Sequence, residues 1–147
     1  MDTLNLLLDG FGGIDGRGLF VFHHVTRQEM AAMFQAADVM LVTALRDGMN
    51  LVAKEYAAVR GGWGGVLVLS EFAGAADQLR DALLVNPHDI DGLKDAIMEA
   101  IQMDPQDARQ RMEAMHQQVL TNDVAKWSRD FLDRLGGRTK RHRPRPE

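Results

Sequence analysis

From Leu19 onward the apolar positions form short unbroken runs separated by stretches with a three-to-four-residue period. That rhythm predicts strands alternating with helices. "LFVF" (19–22) reads as a short strand. Thr26 with Glu29 three residues later forms a capping box for a helix whose inner face is Met30, Met33, Phe34 and Ala37. "VMLVT" (39–43) is an uninterrupted, largely β-branched run, the pattern of a strand buried on both faces. Asn50 is placed to cap a helix from about Leu51 to Arg60, which "GGWGG" terminates.

The unit then recurs. "VLVL" (66–69) is a second buried strand, "SEFAGA" a turn, "AADQLRD" a short helix, and "ALLV" (82–85) a third strand that ends at Asn86 and Pro87. Asp89 or Asp91 caps a helix through Met103, "DPQDARQRM" begins another with proline in its first turn, and Asn122 or Asp123 opens a last helix through Leu135. The expected class is α/β: a Rossmann-like parallel sheet with flanking helices. Ligands of such sheets sit at the carboxyl ends of the strands, here the loops at 43–50 and 70–74. The organisation expected is a weakly patterned lead-in over 1–18, the sheet and its helices over 19–135, and a basic, disordered tail over 136–147.

Composition narrows this picture. The chain has 147 residues, 46% of them hydrophobic, which suits one globular domain. It has no cysteine, so disulfides and cysteine-ligated zinc are excluded and a reducing cytoplasm is the natural compartment. No apolar run approaches the roughly 20 residues of a membrane-spanning helix, and the first residues lack the basic region of a secretory signal. The net charge of −4 argues against nucleic acid as a partner, although "GRTKRHRPRPE" carries five Lys/Arg against one Glu.

The candidate chemistry centres on "ALRDGMNLVAKEYAA" (44–58). Leu51, Val52 and Val59 stand four, three and four residues from Glu55, on one side of the helix, where a buried carboxylate needs a partner. A salt bridge to a neighbouring Arg or Lys would serve, and so would a ligand hydroxyl. The preceding loop favours the ligand, because the backbone N–H groups of residues 48–52 lie where a strand end meets a helix N-terminus, a site for phosphate or diphosphate. Asp47 would point from the loop toward whatever the phosphate carries. A turn aspartate bonded to its own backbone is the plainer reading of that residue.

Other constellations fail on geometry. His23 and His24 are adjacent on a strand and face opposite sides, which excludes a shared metal. "DID" (89–91) imitates the Asp-x-Asp of metal-dependent sugar transferases but follows Asn-Pro and opens a helix, so it reads as a cap. There is no G-x-G-x-x-G, P-loop or G-x-S-x-G. The methionines recur at helical spacing among alanines and leucines, as core residues do.

"AADVMLVTALRDGMNLVAKEYAA" (36–58), "VLVLSEFAGAADQL" (66–79), "LLVNPHDIDGLKDAI" (83–97) and "NDVAKWSRDFL" (122–132) resemble the donor-binding part of trehalose-6-phosphate synthases. The resemblance implies a partial C-terminal half of a GT-B glycosyltransferase, one that moves glucose from UDP-glucose to glucose 6-phosphate with retention. It implies no cofactor and no required metal. Asp47 would bond glucose hydroxyls, the amides of Gly48, Met49 and Asn50 would contact the sugar, those of Leu51 and Val52 would hold the diphosphate, and Glu55 would accept from the ribose hydroxyls.

The family's acceptor-binding domain and its diphosphate-clamping "R-x-D…K-G" residues find no equivalent in residues 1–18. The expectation is therefore a chain that binds nucleotide sugar, acts on a sugar-phosphate acceptor only if the missing domain is supplied, and turns over weakly or not at all alone. Two alternatives stand beside it. One is a non-catalytic remnant that binds nucleotide sugar or docks on a full-length synthase. The other is a glucosylglycerol-phosphate synthase-like chain.

Overall fold

The computed structural model describes residues 25–139, with side chains through residue 135. The expected strand at 19–22, His23, His24, the lead-in and residues 140–147 lie outside the described residues. The chain divides into two units, Met1–Met30 and Ala31–Glu147. In the first, the capping box is present: the Thr26 amide donates to Glu29 Oε2 at 2.7 Å and the Glu29 amide to Thr26 Oγ1 at 3.2 Å. It starts helix α1, Arg27–Ala36, of whose predicted inner face only Phe34 is buried.

Among the described residues, the second unit holds a three-stranded parallel sheet in the order β1 (Val39–Val42), β2 (Val66–Ser70), β3 (Leu83–Val85). Val39 pairs with Val66 and Val68 with Leu83. The central strand is buried at every position. Val66 and Val68 join Leu83, Val85, Ala96, Ala100 and Ala108 in one cluster, while the alternating Leu67 and Leu69 are wholly buried on the opposite face. β1 departs from expectation. Among the described residues it is an edge strand covered only in part, Val42 alone of its residues is buried, and Leu41 is 45% exposed. An unbroken apolar run reports strand propensity but does not reveal whether a neighbour covers it.

Helix α2, Leu51–Arg60, follows β1 and packs on β1 and β2. The "AADQLRD" segment forms only a single 3-10 turn, Gly74–Asp77, where a short helix was expected. Helix α3, Ile90–Gln102, is capped by Asp89, whose Oδ1 accepts from the Gly92 amide at 3.1 Å, so "DID" is a cap. Helix α4, Pro105–Thr121, starts with proline in its first turn and packs along α2, where His116 hydrogen-bonds the Ala57 carbonyl. Helix α5, Val124–Thr139, is capped by Asp123 and runs past Leu135 to Thr139, into the segment expected as tail.

An unanticipated polar knot closes α2. Arg60 is only 7% exposed; its Nε donates to the Gly64 carbonyl at 2.6 Å, its Nη1 to the Gln35 carbonyl at 2.6 Å, and its Nη2 reaches Asp38 at 3.4 Å. The wholly buried Tyr56 donates its hydroxyl to the Ala37 carbonyl at 2.9 Å and meets Phe34 edge to face. Gly65, at φ 123°, lies against both: a Cβ there would come within 2.6 Å of the Tyr56 hydroxyl and 2.9 Å of Arg60 Nε. The end of α1, the end of α2 and the glycine loop are thereby tied together at the amino ends of β1 and β2, the end of the sheet opposite the loops that follow these strands.

Candidate functional site

Two loops leave the carboxyl ends of β1 and β2 and are bonded to each other. The Asp47 amide donates to the Phe72 carbonyl at 3.3 Å, the Gly74 amide donates to the Asp47 carbonyl at 2.8 Å, and Asp47 and Ala73 form a one-residue parallel bridge. The second loop is held from beneath. Ser70 is wholly buried, its Oγ accepts from the Phe72 amide at 3.1 Å, and the Glu71 amide donates to the Val85 carbonyl at 2.9 Å. The first loop is thus seated on a fixed support.

Within the first loop Asp47 does what a turn aspartate does. Its Oδ1 accepts from the Met49 and Asn50 amides, both at 3.0 Å, and its Oδ2 from Asn50 Nδ2 at 3.0 Å. The Met49 amide, above all, holds its carboxyl below the ordinary carboxylate range. Partial desolvation opposes this, and the two Asn50 donors add to it. Two carboxylate oxygens offer about four acceptor sites. Three are occupied by the loop, which leaves room on Oδ2 for one further donor, such as a ligand hydroxyl.

Asn50 turns the chain into α2. It sits in the left-handed region at φ 64°, and its Oδ1 accepts from the Ala53 amide at 2.9 Å. The amides expected to be open at 48–52 therefore divide into two groups. Those of Met49 and Asn50 are bonded to Asp47, whereas those of Gly48, Leu51 and Val52 have no acceptor among the described residues. Leu51 and Val52 are the first two residues of α2, so their N–H groups point out of a helix N-terminus, where the helix dipole favours an anion.

Glu55 is exposed, not buried as expected. Helix α2 buries Ala53, Tyr56, Ala57 and Arg60, spaced at three and four residues, and turns the side bearing Leu51, Val52 and Glu55 outward. Leu51 is 58% and Val52 41% exposed, and Glu55 is exposed as well, so no buried partner is required. Among the described residues Glu55 has no ion pair, and the salt-bridge alternative is not realised. What remains is position: Glu55 lies one turn beyond Leu51, on the flank of the helix whose N-terminus carries the open amides.

The sequence placed the 70–74 loop at the ligand end of the sheet, but the bracing contacts of Ser70, Phe72 and Gly74 within it were not expected. Their available signal was a glycine ahead of a small-residue run directly after a buried strand. No group of three or more His, Asp or Glu among the described residues is placed to hold a metal ion, and no helix among them is long and apolar enough to cross a membrane.

The sequence pattern of glycosyltransferase family 20 matches residues 9–136. The chain belongs to that family. It is 59% identical over 116 residues to a trehalose-6-phosphate synthase of Mycobacterium sp. (strain JLS) and 57% identical over 116 residues to one of Mycolicibacterium smegmatis, covering 79% of this chain in each case. It superposes with a TM-score of 0.77 and 40% identity on trehalose-6-phosphate from E. coli bound with UDP-2-fluoro glucose, over 93% of this chain and 30% of that one. The alpha,alpha-trehalose-phosphate synthase (UDP-forming) of Burkholderia xenovorans in complex with glucose-6-phosphate matches with a TM-score of 0.77 and 40% identity, over 90% of this chain and 32% of that one. The Rossmann-like sheet is accordingly part of a GT-B glycosyltransferase fold. This family-20 chain spans about a quarter of the length of the curated relatives it matches.

Proposed function

We propose that this chain carries the donor-binding part of a trehalose-6-phosphate synthase-like hexosyltransferase. The activity it would serve transfers glucose from UDP-glucose to glucose 6-phosphate with retention, in the cytoplasm and without a required metal. The observation that carries this reading is the open N-terminus of α2, with unengaged Leu51 and Val52 amides, in a chain that superposes over 93% of its length on a structure bound with a UDP-glucose analogue.

In this arrangement the Leu51 and Val52 amides hold the donor diphosphate, and the α2 dipole stabilises the negative charge that grows on it as the glucosyl bond breaks. Asp47 accepts from a glucose hydroxyl on the free site of Oδ2. Gly48 offers its amide to the same sugar, while Met49 and Asn50 reach it only by sharing their N–H groups with Asp47. Glu55, one turn into the helix and solvated before binding, accepts from the ribose hydroxyls, so no buried charge has to be created.

Calorimetric titration of the chain with UDP-glucose tests this. Saturable 1:1 binding that falls about tenfold or more in Glu55→Ala is expected, the ordinary worth of a lost charge-assisted bond. Absence of any UDP-glucose binding, or binding indifferent to both Glu55→Ala and Asp47→Ala, overturns it.

A further inference from the structure

We infer that Gly74 is a positioning residue for the donor site, placed there because its missing Cβ lets the second loop bolt the first into its binding shape. The inference rests on the donor-site reading above and extends it to a residue that touches no ligand. Gly74 makes two kinds of contact with the first loop. Its amide donates to the Asp47 carbonyl at 2.8 Å. Its Cα face lies directly against the Gly48 peptide: a Cβ built there would run into the Gly48 carbonyl, standing 2.8 Å from that carbonyl carbon and 3.2 Å from the Met49 nitrogen.

Glycines serve two purposes, positive φ or close approach. Gly74 has no positive φ, in contrast to Gly62, Gly64 and Gly65, so close approach accounts for it. The atoms it presses on are backbone and cannot rotate away as a side-chain tip can. Any larger residue must push the peptide between Gly48 and Met49 outward, and that peptide belongs to the turn in which Asp47 Oδ1 gathers the Met49 and Asn50 amides. Asn50 in turn sets the first turn of α2 through Ala53. A shift at Gly74 therefore propagates along one short chain of bonds to the Leu51 and Val52 amides. Their aim at the diphosphate is what the glycine secures.

Two measurements decide this. In the unsubstituted chain, amide hydrogen exchange should show the Gly74 N–H protected, as an N–H bonded to the Asp47 carbonyl is; exchange at the rate of a free loop would overturn the inference whatever the substituted chain does. In Gly74→Ala, NMR should show displaced amide resonances for Gly48 to Val52 with those of β2 and α4 unmoved. UDP-glucose affinity should fall about tenfold or more while uridine, which lacks the diphosphate, binds as before. Equal loss of UDP-glucose and uridine, or unchanged resonances in the loop, overturns it. If the unsubstituted chain binds neither compound, the donor-site reading fails by itself, and the exchange and resonance measurements still decide whether Gly74 sets the loop.

Discussion

Asp47 carries three protein donors on two oxygens, and its behaviour on substitution separates its two tasks. Asn at this position keeps an oxygen for the Met49 and Asn50 amides but puts an NH2 where Oδ2 faces Asn50 Nδ2. Asn50 cannot turn its amide over to compensate, because its own Oδ1 is committed to the Ala53 amide. Asp47→Asn should therefore keep the turn amides near their positions in an NMR spectrum yet weaken UDP-glucose by roughly tenfold in calorimetry. Asp47→Ala should lose both. The carboxyl titrates below its ordinary 3.8 because the Met49 amide, more than any other group, bonds its charged form. A depressed carboxylate contributes order above its unfolded pKa and loses it as pH falls through the folded one. The Met49 and Asn50 amide resonances should therefore titrate together, with a midpoint below 3.8. A midpoint above 3.8 would contradict the bonding described.

At the scale of elements, the sequence pattern located β2, β3, α2, α3 and α4 because their boundaries carry residues with a local job: Asn50 and Asp89 cap, Asn86 and Pro87 end β3, and Pro105 and the glycines around Trp63 start or stop. Those jobs are legible because they act within four residues. Arg60 is not legible in that way. By position it reads as a basic residue at a helix C-terminus, within reach of the Gly64 carbonyl, yet its guanidinium also donates to the carbonyl of Gln35, 25 residues earlier, which only the fold brings to it. Its exposed partner Asp38, 95% accessible, adds little. Arg60→Ala leaves two carbonyls and a cavity and should cost about 3 kcal/mol in urea unfolding, Asp38→Ala less than about 0.5 kcal/mol, and Tyr56→Phe, which deletes the bond to Ala37, about 1 kcal/mol. Equal losses for Arg60→Ala and Asp38→Ala would mean that the ion pair, and not the bonds to carbonyls, holds the knot.

At the scale of the molecule, the same local logic misjudged what faces outward. A run such as "VMLV" and a helix side bearing Leu51, Val52 and Glu55 look destined for burial, and both are partly open here because burial depends on neighbours that no local pattern names. The candidate site survives that error, since its substance is backbone: amides at a helix N-terminus, and a turn seated on a second loop. Binding and turnover make different demands on it. On the reading proposed above, holding UDP-glucose would need the amides, Asp47 and Glu55, all within residues 47–55. Transfer also needs an acceptor held against the anomeric carbon and cations opposite the departing diphosphate. The match extends over only 30% of the E. coli chain bound with UDP-2-fluoro glucose and 32% of the Burkholderia chain in complex with glucose-6-phosphate. The 147-residue chain supplied with UDP-glucose and glucose 6-phosphate should accordingly bind the donor while releasing UDP far more slowly than a full-length synthase assayed beside it. A coupled assay for UDP release measures this directly. A rate equal to the full-length enzyme's would show that these 147 residues suffice for the chemistry.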